Sequence, residues 1–305
     1  EERSIDKLGD RHYKLATSEL NVRAALINQG FDVENLKLKG GESIPEGITA
    51  LVIADPRTHF EPDVLEKIEK YIDEGGNLLL SGEPGKQSVL NPILSKLGVQ
   101  IMEGTILQED PKLGPQEVRS FVTPLGLEFG KKTSYLHNNK LGISTREVAG
   151  LSYRNDGDFT IRELLNTNGE FTWNKTGKLV LDSADIVFNE QEGDVKRSFP
   201  TALALTRMVN QKEQRILVTS DADFLSNIEL GRNYPRTGNA LFYQGFLGWF
   251  SYGKYPVEPT WPDPIDNTIK IDEDNIPLLK WVIYLIIPAS FLISGTVLLI
   301  RRKRK

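Results

Sequence analysis

The sequence contains no cysteine among its 305 residues. This absence excludes disulfides, thiolate-bound zinc and a cysteine nucleophile. Histidine is nearly as scarce, because only His12, His59 and His137 are present. These three are widely spaced and form no H-E-x-x-H pattern, so a histidine metal site is not expected. We therefore assign no metal and no cofactor from the sequence.

Outside its C-terminal 30 residues, the chain has fewer basic than acidic residues. Six of its 37 Lys and Arg lie in residues 276–305, which leaves 31 against 42 Asp and Glu in the rest, a formal net charge of −11. Nucleic-acid-binding surfaces are basic, so we expect no nucleic-acid partner. The sequence starts at Glu1 without Met or a signal peptide, and we expect it to be the C-terminal part of a longer or processed product.

One apolar segment near the C-terminus predicts a membrane anchor. Residues 281–300 carry no charge, and as a helix they would span roughly 30 Å of hydrocarbon. We predict a transmembrane helix over 276–300 in contact with lipid, because a buried core helix would not end in the five cations of 301–305. Positive flanks stay cytoplasmic, which places a body at 1–253 outside the cytoplasm. The Pro/Asp-rich segment 254–275 is then a juxtamembrane linker.

Helical and strand patterns alternate through the body. The apolar runs at 50–54 and 77–81 are typical of strands buried on both faces, and Pro62 opens an amphipathic helix between them. A further buried strand is predicted at 215–219, followed by an apolar helix at 239–252. This alternation predicts an α/β fold with a doubly wound, mostly parallel sheet.

The remaining patterns are weaker. Residues 18–29 predict a helix, and the alternation at 31–38 predicts a strand. Turn residues are frequent across 104–199, which we interpret as a β-rich insertion or subdomain with short strands at 178–181 and 186–188.

Acidic residues follow three of the predicted strands: Asp55, Glu83, and the pair Asp221 and Asp223. Ligands of doubly wound sheets bind at the carboxyl ends of the strands. Paired carboxylates there could hold a divalent cation or act as acid and base. They could equally cap turns and helix N-termini, and this structural role is favoured because no base partner lies at a motif-defining distance. We assign no catalytic residue.

The turn after the predicted strand at 77–81 carries no catalytic motif. Residues 81–85 do not match the G-x-S-x-G nucleophile elbow, and 82–88 have the wrong spacing for a phosphate loop. Any ATP hydrolysis is therefore expected in a partner subunit.

Several stretches resemble the auxiliary proteins of bacterial ABC-type transport systems, the group that includes the gliding-motility-associated Gldg component. They are ALVIADP at 50–56, YIDEGGNLLLSGEP at 71–84, QRILVTSDADFLSN at 214–227, and the C-terminal span with its basic tail. The recurrent D-x-D-F-x-x-N stretch of that family adds Asn227 to the candidate ligand-binding residues.

The resemblance implies a degenerate class I glutamine-amidotransferase-like fold that has lost its catalysis. The nucleophile turn of that fold would lie near residues 75–85, where no cysteine is available. The resemblance also implies a periplasmic domain working beside an ABC permease and ATP-binding subunits, linked to gliding motility or secretion.

Our leading hypothesis is a non-enzymatic accessory component of an ABC transporter, anchored in the bacterial inner membrane and binding a small extracytoplasmic ligand or a partner. The alternatives are an extracytoplasmic hydrolase or carbohydrate-active enzyme that uses the strand-end carboxylates, and a pure scaffold.

Overall fold

The structure is a computed structural model, and it describes residues 3–17, 25–110, 113–177, 179, 186–232, 236–257 and 273–304. The chain forms two compact units, Glu1–Glu258 and Pro259–Lys305.

The first unit is built on a seven-stranded mixed sheet. Its strands, in spatial order, are β1 (Leu51–Ala54), β2 (Leu78–Ser81), β12 (Lys212–Thr219), β11 (Pro200–Val209), β8 (Thr160–Thr167), β5 (Glu117–Val122) and β6 (Ile143–Arg146). Pairing is parallel between β1 and β2 and between β2 and β12. The other four pairs are antiparallel.

The expectation of a mostly parallel sheet is therefore wrong, although the mixed α/β class is confirmed. Parallel strands need a long crossover, which a helix supplies between β1 and β2. By contrast, β11 and β12 are joined through Asn210 and Gln211, whose φ angles of 49° and 65° belong to a tight hairpin turn. Such a turn imposes antiparallel pairing.

Helices cover both faces of the sheet. Those of the first unit are α1 (Lys14–Thr17), α2 (Pro62–Asp73), α3 (Gln87–Lys96), α4 (Lys131–Asn138), α5 (Asn227–Leu230) and α6 (Asn239–Phe250). On one face Leu78 and Leu80 belong to a core cluster with α2 and α3. On the other face Leu79 belongs to a cluster with α4 and α6. Alternate residues of β2 are thus buried on opposite faces, which explains its unbroken apolar run.

Smaller sheets flank the central one. A two-stranded sheet pairs β3 (Val99–Ile101) with β7 (Leu151–Tyr153), and a three-stranded sheet joins β4 (Thr105–Gln108), β9 (Thr172–Lys175) and β10 (Val195–Lys196). The segment 104–199 also supplies β5, β6 and β8 to the central sheet. Its boundaries as an insertion stay a prediction.

Three local predictions need correction or fall outside the described residues. Residues 31–38 form no strand; Leu36 and Leu38 instead pack on the core as a loop. Residues 186–188 also form no strand, and the strand expected at 178–181 lies almost wholly outside the described residues. Of the helix expected at 18–29, the described part is a single 3-10 turn at Leu26–Gln29.

The second unit contains a long apolar helix. It consists of α7 (Ile276–Trp281), a π-helical turn (Val282–Ile286) and α8 (Ile287–Lys303). The continuous helix Ile276–Lys303 is long and apolar enough to cross a membrane, by length and composition.

Candidate functional site

Four carboxylates lie together at one edge of the central sheet. Asp55 follows β1, Glu83 follows β2, and Asp221 and Asp223 follow β12. These strands are parallel neighbours, so their carboxyl ends meet at the same edge. All four residues are buried. The structure thus brings together four of the five predicted ligand-binding residues, and their ligand-binding role stays a prediction.

Local backbone geometry aims these side chains. Asp55 has a φ of 47°, a left-handed conformation that Asp tolerates better than most residues, and its N–H donates to the Ser81 carbonyl at 2.8 Å. In the D-x-D stretch, the Asp223 N–H donates to Asp221 Oδ1 at 2.6 Å. This is an Asx-type turn that holds both acids at the strand end.

Arg3 lies at the centre of the four carboxylates. Its Nη2 is 2.7 Å from Glu83 Oε1 and 3.3 Å from Asp55 Oδ2, and its Nη1 donates to Asp223 Oδ1. The Arg3 side chain is only 3% exposed. A single guanidinium therefore connects the ends of all three parallel strands, through charge-assisted hydrogen bonds to Glu83 and Asp223 and an ion pair to Asp55.

Two further cations complete the group, which we call the strand-end cluster: Arg3, Arg11, Asp55, Glu83, Lys86, Asp221 and Asp223. Arg11 Nε donates to Asp223 Oδ2 at 3.1 Å, and its Nη2 is 3.3 Å from Glu83 Oε2. Lys86 pairs with Asp55 Oδ1. Arg11 differs from Arg3 because half of its side chain is exposed.

Arg3 and Arg11 belong to residues 3–17, which we call the N-terminal arm. The Tyr13 hydroxyl donates to the Ala222 carbonyl oxygen at 2.6 Å. Asn227 Nδ2 donates to the carbonyl oxygens of Lys7 and Gly9 at 3.0 and 2.8 Å, and its Oδ1 accepts the Leu15 N–H. Asn227, the fifth predicted residue, therefore holds the arm rather than joining the carboxylates.

Burial changes the acidity of the cluster. Desolvation raises the pKa of Glu83 to about 8, with a further contribution from the Asp223 carboxylate, while Arg3 opposes the rise. Desolvation, followed by the charges of Glu83 and Asp223, also raises the pKa of Asp221. Three cations face four carboxylates, so the cluster has a formal net charge of −1 when every group is ionised.

Some buried polar atoms of the cluster make no hydrogen bond. Within the described part of the chain, Asp221 Oδ2, Asp55 Oδ2 and Arg3 Nε are buried without a hydrogen bond. Glu83, Asp221 and Asp223 can each place one carboxylate oxygen within 4.8 Å of the others. Among the described residues, these three are the group that could hold a metal ion. Chemically, the arrangement can bind cations or exchange a proton.

Sequence patterns did not reveal the basic half of this cluster. Arg3, Arg11 and Lys86 follow no motif, and the contact between Arg3 and Asp223 joins residues 220 positions apart. One signal was available. Three predicted strand ends carry acids, and buried carboxylates need positive charges nearby, so basic residues from elsewhere in the chain had to approach them.

Comparison with known proteins supports one family. Residues 5–122 match a family model described as an ABC-type uncharacterized transport system. The predicted resemblance to an auxiliary ABC transport component is confirmed by this match, while the link to gliding motility stays a prediction. None of the curated proteins compared with the chain matches it.

Two solved structures are similar to the chain. The first is described as "mmIFT52 N-terminal domain", with 18% identity, a TM-score of 0.47, and coverage of 68% of this chain and 79% of that one. The second is a ThuA-like protein from Parabacteroides merdae, with 13% identity, a TM-score of 0.33, and coverage of 76% and 85%. At these scores neither likeness identifies the fold, and the glutamine-amidotransferase-like assignment stays a prediction.

Proposed function

From the match of residues 5–122 to the auxiliary family of ABC-type transport systems, we propose that this chain is a non-enzymatic, membrane-anchored accessory component of an ABC transporter. The match is the observation that carries the proposal. The body binds a partner or a small extracytoplasmic ligand, and the permease and ATP-binding subunits perform the transport itself. A role in gliding motility or secretion belongs to the same proposal.

The C-terminal helix supports anchoring in the bacterial inner membrane. Ile276–Lys303 has the length and apolar composition of a single span, and its last turn carries Arg301, Arg302 and Lys303. Cations at one end of a span favour the cytoplasmic side. In the proposed topology the acidic α/β body is periplasmic, 254–275 is the linker, and the tail contacts anionic headgroups.

The strand-end cluster supports binding rather than hydrolysis. Arg3 pairs with three of the four carboxylates, and Lys86 gives Asp55 a second cation. A general base needs a free carboxylate within reach of substrate, whereas all four are buried and Asp55, Glu83 and Asp223 are paired with the protein's own cations. The hydrolase alternative is therefore the weaker one. We propose that the cluster fixes the N-terminal arm as a rigid part of the partner-binding surface.

Co-purification tests the transporter role. The full chain, tagged and extracted from its native membrane in mild detergent, is expected to bring down a permease and an ATP-binding subunit. A matched variant in which Ile276–Lys303 is replaced by an unrelated membrane helix separates binding through the body from binding through the span. A membrane-inserted, folded chain that purifies as a monomer without either subunit would contradict the proposal.

Protease treatment of spheroplasts tests the topology. Cleavage of the body is expected in intact spheroplasts, while a tag placed after Lys305 stays protected until the membrane is broken. The opposite pattern would place the body in the cytoplasm and refute the periplasmic assignment.

A further inference from the structure

In the part of the chain that the structure describes, no Lys or Arg pairs with Asp221, in contrast to the other three carboxylates of the strand-end cluster. It is 1% exposed, its Oδ1 accepts the Asp223 N–H, and its Oδ2 has no partner within the described residues. Asp55, Glu83 and Asp223 each pair with a Lys or Arg. A buried carboxylate is costly unless it is protonated, paired or bound to a metal.

The geometry around Asp221 suits a single hard cation. One oxygen each from Glu83, Asp221 and Asp223 can lie within 4.8 Å of the others. Oxygen ligands on opposite sides of one Ca²⁺ lie at most about 5 Å apart, because each is about 2.3–2.6 Å from the ion. The three residues therefore span the width of one coordination shell without a change of backbone.

Arg3 is an imperfect occupant of this space. Its Nη atoms contact Glu83 and Asp223, but its Nε is buried without an acceptor, and Asp221 is left without a countercharge. A guanidinium brings one positive charge, whereas a divalent ion brings two and can contact three carboxylates at once. A divalent ion in place of the Arg3 guanidinium would give Asp221 Oδ2 a cation to bind.

We propose that Glu83, Asp221 and Asp223 form a divalent-cation site, in which a hard ion such as Ca²⁺ exchanges with the guanidinium of Arg3. The arm stays docked during the exchange, because Tyr13 and Asn227 hold its backbone independently of Arg3. Arg11, whose side chain is half exposed, pairs with Glu83 and Asp223 on the solvent side of the site. This inference does not rest on the transport role.

Calcium titration of the full chain in detergent tests the site. Binding of CaCl₂ is measured by calorimetry and thermal unfolding at constant ionic strength set with NaCl, and EGTA reverses it. The variants are Arg3→Gln, which removes the competing cation, Arg3→Lys, which keeps a charge, and Asp221→Asn, which removes a ligand. Asp73→Asn is the matched control, because Asp73 is an exposed acid at the end of α2.

Wild type is expected to bind Ca²⁺ weakly, in the range of about 0.1–1 mM. Arg3→Gln should bind about tenfold more tightly, and Ca²⁺ should raise its melting temperature more than that of wild type. Arg3→Lys and Asp73→Asn should bind like wild type. Asp221→Asn should lose about tenfold or more in affinity, as expected when a ligand is removed.

Two results would overturn the proposal. The first is a folded Arg3→Gln protein, with the circular dichroism of wild type, that does not bind Ca²⁺ at about 10 mM, well above the range of weak protein sites. The second is an Asp221→Asn protein with the affinity of wild type; it would mean that a proton alone neutralises Asp221. If Arg3→Gln does not fold, the Ca²⁺ affinities of wild type and Asp221→Asn still test the site. If the chain does not bind Ca²⁺, the expected co-purification with a permease and an ATP-binding subunit is not affected.

Discussion

Two ion clusters of this chain each centre on one arginine, but they differ in burial. In the strand-end cluster, Arg3 joins carboxylates from three strand ends. In a second cluster, Arg232 Nη1 is 2.6 Å from Glu117 Oε2, and its Nη2 is 2.6 Å from Glu229 Oε1. Each cluster therefore ties distant segments to a single guanidinium.

The clusters differ in depth and in charge balance. Arg3 is 3% exposed, whereas the Arg232 side chain is 13% exposed and Glu117 is one-fifth exposed. Water can therefore replace part of the interaction between Arg232 and Glu117, but not the interactions of Arg3; the other partner of Arg232, Glu229, is 1% exposed. From this comparison we expect the fold to depend more strongly on the buried guanidinium of Arg3 than on that of Arg232.

The largest effect is expected from removal of the central guanidinium. Arg3→Gln leaves three buried carboxylates without their shared cation, and the free energy of unfolding should fall by about 3–5 kcal/mol. Arg232→Gln, the matched change, should cost about 1–2 kcal/mol because solvent reaches Arg232 and Glu117. Urea unfolding of the full chain in detergent measures both. Equal losses of unfolding free energy in the two variants would contradict the expected difference between the two clusters.

A pH dependence should follow from Glu83. Its folded pKa of about 8 lies above its ordinary value of 4.5, because burial disfavours the charged form. The stability that protonated Glu83 contributes is therefore complete below pH 4.5 and is lost as the pH rises through 8. Unfolding free energy should fall between about pH 5 and pH 8 in wild type.

Glu83→Gln keeps a neutral side chain of the same shape, so it should flatten that decline relative to wild type. The exposed Asp73→Asn control should not alter the slope. A Glu83→Gln protein with an unchanged pH profile would show that Glu83 is ionised in the folded state.

The parallel strands β1, β2 and β12 were predictable from local sequence patterns. The run Leu78–Leu80 is apolar on both faces, and Pro62 and Gly75 bound the helix that precedes it. The convergence of Asp55, Glu83 and Asp221 follows from parallel pairing alone. The antiparallel pairing of β11 with β12 could not be predicted in the same way, because it depends on the tight turn at Asn210 and Gln211, which has no glycine to mark it.

The basic half of the site could not be predicted by spacing. Arg3 reaches Asp223 only through the path of the whole arm, and no periodic pattern encodes a contact between residues so far apart. Asn227 was selected by a family stretch, yet its partners are backbone carbonyls of the arm. A short motif identified that residue but not the contact it makes.

A smaller contrast is expected between the two acids of the D-x-D stretch. Asp223 accepts hydrogen bonds from Arg3 and Arg11, so Asp223→Asn should cost about 2–3 kcal/mol. Asp221 has no cation, and Asp221→Asn should change stability by less than about 1 kcal/mol. Thermal unfolding of the two variants measures the difference. If Asp223→Asn instead abolished a hydrolytic activity at an unchanged melting temperature, the hydrolase alternative would replace the accessory role.

The smallest effect is expected at the solvent side of the strand-end cluster. Arg11→Gln removes ion pairs to Glu83 and Asp223, but half of the Arg11 side chain is exposed, so the loss should be only about 0.5–1 kcal/mol. About 0.5 M NaCl should reduce this loss further, because salt screens exposed charges, whereas the loss in Arg3→Gln should persist. Urea unfolding at low and high salt measures both variants. A salt-independent Arg11→Gln loss as large as that of Arg3→Gln would mean that the two guanidiniums are equally shielded from water.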